Sequence, residues 1–219
     1  MDTKQRLIDG ALRAIRTHGI AGVSARTVAA AAGVNQALVF YHFGSVDDLL
    51  AAACRTATLQ RVEVYRDRFG AVTSLRELLD LGRTLHEEER RQGNVAVLAQ
   101  LLAGAQSDER LAEPVGAALR LWTDQIEATL RRILDTSALR ELAEPAGLAA
   151  AVSAAFIGLE LYEGVDAAGA TAALNALDQL AVLIDVVEDL GPVARRALQA
   201  RTRRTARSAS VTRSRGRPT

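Results

Sequence analysis

Apolar residues recur along most of this chain at intervals of three and four, the spacing that lines one face of an α-helix. Leu7, Ile8, Ala11, Leu12 and Ile15 form the first stripe and predict a helix from about Asp2 to His18, ended by Gly19. A short alanine-rich helix is expected from Ser24, whose hydroxyl can cap its first amides, to Gly33, the residue type best suited to a left-handed stop. A second short helix opens at Asn35 and closes on the aromatic run Phe40-Tyr41-His42-Phe43. Gly44-Ser45 then breaks the chain, and Ser45 with Asp48 caps a longer helix from Val46 to about Phe69.

Beyond Gly70 the helical pattern restarts repeatedly. Ser74 with Glu77 predicts a helix to about Arg91, and Gly93-Asn94 separates it from an apolar helix over Val95 to about Gln106. Pro114 suits a first helical turn, so the stripe Val115, Leu119, Trp122, Ile126, Leu130 and Ile133 predicts a helix from there to about Thr136. A last pair spans roughly 145–165 and 171–190. No strand alternation and no fixed-period repeat is visible, so the fold class is all-α: a three-helix head followed by a larger helical domain. Domain bounds are expected at 1–50, 51–194 and 195–219, with 208–219 disordered on its Ser/Arg/Gly/Pro composition.

Two short helices around a glycine turn are the plan of a helix-turn-helix, whose second helix enters the major groove of DNA. With 100° of rotation per residue, Val39 and Phe43 face inward, and Phe40 is read with them as core. The opposite side offers Gln36, Ala37, Leu38, Tyr41 and His42. Gln36 can donate to and accept from an adenine edge, and Asn35 can do the same or bond a phosphate. Ala37 lets the backbone approach closely, and Ala37 or Leu38 can touch a thymine methyl. Tyr41 and His42 are read as phosphate contacts. Arg26 and Thr27 sit at the positive end of the first short helix, where phosphate binds readily.

Composition narrows the class further. The formal net charge of +1 hides nine arginines and no acid from Arg195 onward, so residues 1–194 carry about −8, and 51–194 about −9. An acidic middle is a poor partner for phosphate; the head, and the tail if it takes part, must hold DNA. The single cysteine, Cys54, makes no internal disulfide, and charges interrupt every early apolar run, so a cytoplasmic protein without a signal peptide is expected. The longest uncharged run, Pro145 to Leu159, is shorter than the roughly twenty residues of a membrane span.

An enzyme is the main competing class, with a carrier or helical scaffold behind it. Only His18, His42 and His86 are present. The run His86-Glu87-Glu88-Glu89-Arg90 lacks the second histidine of a zinc-protease helix and reads as a solvated face. No catalytic residue, metal site or cofactor is expected.

The segment from Thr27-Val28-Ala29 through Ala32-Gly33-Val34 and Val39-Phe40-Tyr41-His42-Phe43 to Ser45 and Leu49-Leu50 resembles the DNA-binding region of the tetracycline-repressor (TetR) family. Two positions depart from that family's pattern: Val46 stands where many members carry a lysine, and Phe40 where tyrosine is common. The resemblance implies a regulator, most often a repressor, that binds a pseudo-palindromic double-stranded operator as a homodimer and is released by a small-molecule effector. It further implies dimerisation through the last two long helices. Here the first of them is lined by Ala149, Ala150, Ala154, Ala155 and Gly158, and the second carries Leu174, Leu177, Leu180, Ala181 and Ile184. For the effector, expected to be small and largely apolar, the candidate contacts are Tyr65, Leu85, His86, Leu102, Trp122, Gln125 and Phe156.

Overall fold

The computed structural model describes residues 2–135, 137, 144–191 and positions 193, 194, 197 and 200. All nine tail arginines, and the end expected to be disordered, lie outside the described residues. Among the described residues there are nine α-helices and no strand: α1 (Thr3–His18), α2 (Ala25–Ala32), α3 (Ala37–Phe43), α4 (Val46–Ala71), α5 (Leu75–Arg91), α6 (Asn94–Ala105), α7 (Glu109–Leu134), α8 (Pro145–Glu163) and α9 (Ala167–Glu188). A single 3-10 turn, Ile20–Gly22, joins α1 to α2.

Local chemistry sets the boundaries in the head. The Ser24 hydroxyl accepts from the Thr27 amide at 3.2 Å while the Thr27 hydroxyl accepts from the Ser24 amide at 2.8 Å, satisfying two otherwise unpaired donors. Gly33 sits at φ 64°, ψ 41°. The Val34 amide bonds back to the Ala29 carbonyl and the Gly33 amide to that of Ala30, the Schellman ending of a helix. The remaining carbonyls at the end of α2 are taken by α1. Arg6 donates to Ala32 and Gly33, at 3.0 and 2.8 Å, and Arg13 to Ala31 at 2.8 Å. Cations at a helix C-terminus also oppose its dipole. These two arginines therefore hold the head together.

Two cores sit side by side. The first gathers Leu7, Ile15, Val28, Val39, Leu49 and Leu50 of the head, but also Val97 and Leu101 of α6 and Leu111, Val115 and Ala118 of α7. It does not stop at residue 50. The second gathers Tyr65 and Phe69 of α4, Leu78, Leu81 and Leu85 of α5, Leu130, Ile133 and Leu134 of α7, and Ala149 of α8. Helix α4 is 26 residues long, about 39 Å, and enters both cores. Helix α7 does the same in the same direction, so the two are the rods that connect head and body.

Three boundaries differ from expectation. Helix α7 starts at Glu109 under an Asp108 cap, leaving Pro114 inside its second turn. The proline forfeits the bond its amide would make to the Arg110 carbonyl and crowds that carbonyl, a cost met by the burial of Leu111, Val115 and Ala118 on either side of it in the first core. Helix α4 runs through Gly70 and stops at Ala71, and α9 starts at Ala167 rather than Thr171. Short as the longest uncharged run is, α8 and α9 are, by length and mean hydropathy of 1.4, apolar enough to cross a membrane. Their carboxylates nevertheless pair with the charged helix α5: Arg76 with Asp185, Arg83 with Asp178, and Arg90 with Glu163. That ties both helices to the body. Their other faces remain open, with Leu161, Tyr162, Val182, Leu183 and Val186 exposed.

Candidate functional site

The outer face of α3 is the stripe Gln36, Ala37, Phe40 and Tyr41, residues at i, i+1, i+4 and i+5 and therefore on one side of a helix. All four are exposed, Tyr41 at 81% and Phe40 at 53%. Phe40 is thus a surface residue and not core, because it shares its side with Gln36. Val39 is fully buried, and Phe43 packs against the first core as expected. Leu38 is half-buried on the same core and does not face outward freely. His42, one turn beyond Leu38, is likewise half-buried on the flank, its ring edge-on to Tyr41 at 4.9 Å and to Phe43 at 6.5 Å.

The turn residues are partly committed. Asn35 accepts from the Ala37 amide through Oδ1 at 2.9 Å, which starts α3 and leaves its amide nitrogen facing solvent. The Thr27 hydroxyl is occupied by the cap and by the Gly22 carbonyl at 3.1 Å. Arg26 is exposed and makes no ion pair among the described residues. Val46 packs into the first core, so its replacement of a polar side chain gains burial where it loses a possible phosphate contact.

The second feature is a cavity of about 1090 Å³ in the larger domain, walled by α4 to α9 and reaching α1 at Asp9, Leu12 and Arg16. Of the residues expected there, Leu85, His86, Trp122 and Phe156 line it. Tyr65, Leu102 and Gln125 do not. Tyr65 is fully buried behind the wall, where its hydroxyl lies 2.7 Å from Glu89 and 2.9 Å from Glu88 and accepts from Arg61 at 2.8 Å. Burial, and then the bonds to the two carboxylates, raise its pKa above the usual tyrosine value. Leu102 faces a small void beside Glu160.

Polar residues unexpected from the sequence also stand on the wall: Arg61, Arg83, Glu89 and Asp178. The stretch His86 to Arg90 is not a uniformly solvated face, since His86 and Glu89 are buried. They continue the inward stripe Leu78, Leu81, Leu85 at helical spacing; that periodicity was the available signal. Glu89 is held by Arg61 (Nε, 2.9 Å) and by the Asn94 amide at 2.7 Å. His86 packs edge-on against Phe156, centroids 6.1 Å apart.

Residues 7–53 match the sequence profile described as "Bacterial regulatory proteins, tetR family". A relative from Mycobacterium tuberculosis, described as an HTH-type transcriptional regulator, is 24% identical over 164 residues, 75% of this chain and 84% of its own length. The HTH-type transcriptional repressor AcnR of Corynebacterium glutamicum is 29% identical over 79 residues, 36% of this chain and 42% of its own. Among solved structures, the multidrug binding protein EbrR complexed with imidazole superimposes with a TM-score of 0.58 at 28% identity, covering 81% of this chain and 95% of that one.

Proposed function

The chain belongs to the tetR family of bacterial regulatory proteins, a family of transcriptional regulators and not of enzymes, and from that premise we propose that it is a cytoplasmic, homodimeric repressor released from its operator by a small, largely apolar effector. The observation that carries this reading is the first core. Its inward faces come both from the DNA-reading head and from α6 and α7, whose other residues, Leu98 and Leu119 among them, wall the cavity. A molecule that reshapes the cavity must therefore disturb the packing under α3.

Gln36 and Ala37 read base edges, with Phe40 beside them against thymine methyls; Tyr41, His42, Arg26 and the nitrogen of Asn35 hold phosphates. Leu38 and Thr27 support this face from beneath. Leu85, His86, Trp122 and Phe156 contact the effector. The repressor role draws support from the description of AcnR, and the effector from the imidazole in EbrR. The partner subunit covers the apolar faces of α8 and α9, where Tyr162, Val182 and Leu183 stand exposed. Two heads on one dimer then reach half-sites about 34–36 Å apart.

Selection of bound fragments from random DNA tests the reading. Enrichment of a palindrome with that half-site spacing, together with a dimeric mass in solution, is the expected result. Enrichment of no sequence, or binding by a monomer alone, overturns it. Because a bound effector and bound DNA oppose each other by a single coupling factor, thermal-shift hits must also weaken operator binding.

A further inference from the structure

In the body, His86 of α5 faces two carboxylates of α8. Nδ1 meets Oε1 of Glu160, and Nε2 lies 2.8 Å from Oε2 of Glu163. Glu160 and Glu163 are three apart, so one helical turn presents both toward the ring. A set of one ligand atom from each residue lies within 4.8 Å of one another. Burial is deep: His86 is 4% exposed and Glu160 6%.

The pairing is incomplete. Oε2 of Glu160 is buried with no hydrogen-bond partner among the described residues. The void beside Glu160, lined by Leu98, Leu102, Ile157 and Leu161, is apolar and too small to admit a water. Arg90 reaches only the other carboxylate, at Oε1 of Glu163, 3.2 Å away. One buried and one half-buried carboxylate thus share one arginine and one imidazole, and one oxygen of the buried one is left over.

We propose that His86, Glu160 and Glu163 form a binding site for a divalent transition-metal ion. One imidazole nitrogen with two carboxylate oxygens is a donor set that suits zinc, and also manganese or iron. The ion supplies the positive charge that the site lacks. It also clamps α5 to α8 at the edge of the cavity, where His86 forms part of the wall. Neither the recognition face of α3 nor the regulator reading is needed for this assignment.

The test uses the full chain stripped with a chelator and titrated with Zn²⁺ against a chromophoric competitor, and in parallel with Co²⁺, whose visible absorption reports the coordination sphere. Wild type is expected to take one ion per chain and to unfold at a higher temperature with zinc. Glu160→Gln keeps size and a hydrogen-bonding oxygen but not the charge, and is expected to weaken binding at least about tenfold. Glu87→Gln, an exposed carboxylate one residue from His86, is expected to bind like wild type. Wild-type chain that gives no cobalt spectrum and no zinc-dependent shift overturns the proposal without any variant. So does Glu160→Gln that binds as tightly as wild type, or, should that variant fail to fold, Glu163→Gln that does.

Discussion

The side-chain carbonyl of Gln100 accepts a hydrogen bond from the backbone amide of Ile20 at 3.1 Å. Gln100 lies on α6, whose Leu98 and Leu101 wall the cavity, and Ile20 begins the turn that leads into α2. A second link of the same kind joins Arg110, at the start of α7, to Asp47 in the first turn of α4, 2.8 Å apart. Helices of the body thus grip both ends of the head's α2–α3 unit.

Gln100→Ala leaves the Ile20 amide to solvent and removes one hydrogen bond, worth about 1 kcal/mol. Hydrogen exchange at Ile20 should quicken roughly fivefold to tenfold, while Val28 and Ala29 inside α2 keep their protection. Unchanged exchange at Ile20 would mean that this link contributes nothing to holding the turn.

Gly10 and Gly70 should respond oppositely to the same change. A Cβ at Gly10 would lie 2.9 Å from both the Val28 carbonyl oxygen and the Ala32 Cβ, because α1 and α2 touch there backbone to side chain. Alanine gains about 1 kcal/mol of helix propensity, yet overpacking against backbone costs typically 1–3 kcal/mol. Gly10→Ala should therefore destabilise the chain. At Gly70, inside α4, nothing lies within 4 Å, and alanine should stabilise by about 0.5–1 kcal/mol. Urea midpoints read both signs; a stabilised Gly10→Ala would contradict the close packing.

The sequence was most readable where structure is local. Ser24, Gly33 and Ser45 announce their caps and turns within three or four residues, so the head could be laid out to within a residue or two. Pro114 points to a helix start because proline fits the first turn best, whereas α7 begins five residues earlier under Asp108 and is carried past the proline by packing in the first core. The apolarity of Phe40 points inward, although its spacing of four from Gln36 puts it outside. The cavity wall was half legible: Leu85, Trp122 and Phe156 follow apolar stripes. Tyr65 is withheld from the wall by Arg61 and Glu89, 28 residues apart, and His86 meets Glu160 across 74 residues. Such pairs exist only after α4, α5 and α8 have packed.

Burial pushes the Cys54 thiol up to about 11, opposed by a bond to Thr58. Only the thiolate reacts with alkylating reagents, so at pH 8 the native chain should label roughly a hundredfold more slowly than the unfolded one. Native labelling at the unfolded rate would show that the start of α4 opens freely. Cys54 also borders the cavity, so a ligand filling it should slow labelling further.

Glu77 accepts from the Thr73 amide at 2.6 Å and from its hydroxyl at 2.9 Å, and these bonds hold its carboxyl below the ordinary value of 4.5. A carboxyl lowered in the folded state contributes stability that is complete above its unfolded pKa and is lost as pH falls through its native one. The melting temperature of Glu77→Gln should accordingly match wild type most closely in acid and fall behind it toward neutrality. A gap that is constant with pH would assign the effect to geometry and not to charge.

Gln36 and Arg26 should separate sequence reading from simple attraction. Both are exposed, Gln36 at the start of α3 and Arg26 in the first turn of α2. Loss of a base contact at Gln36→Ala should cost about 1–3 kcal/mol on the selected operator, with little change on unrelated DNA. Loss of a phosphate contact at Arg26→Ala should weaken both DNAs alike and reduce the salt slope by about one. Fluorescence anisotropy over a range of salt concentrations distinguishes the two. If Arg26→Ala altered discrimination while Gln36→Ala left it intact, α3 would not be the helix that reads the sequence.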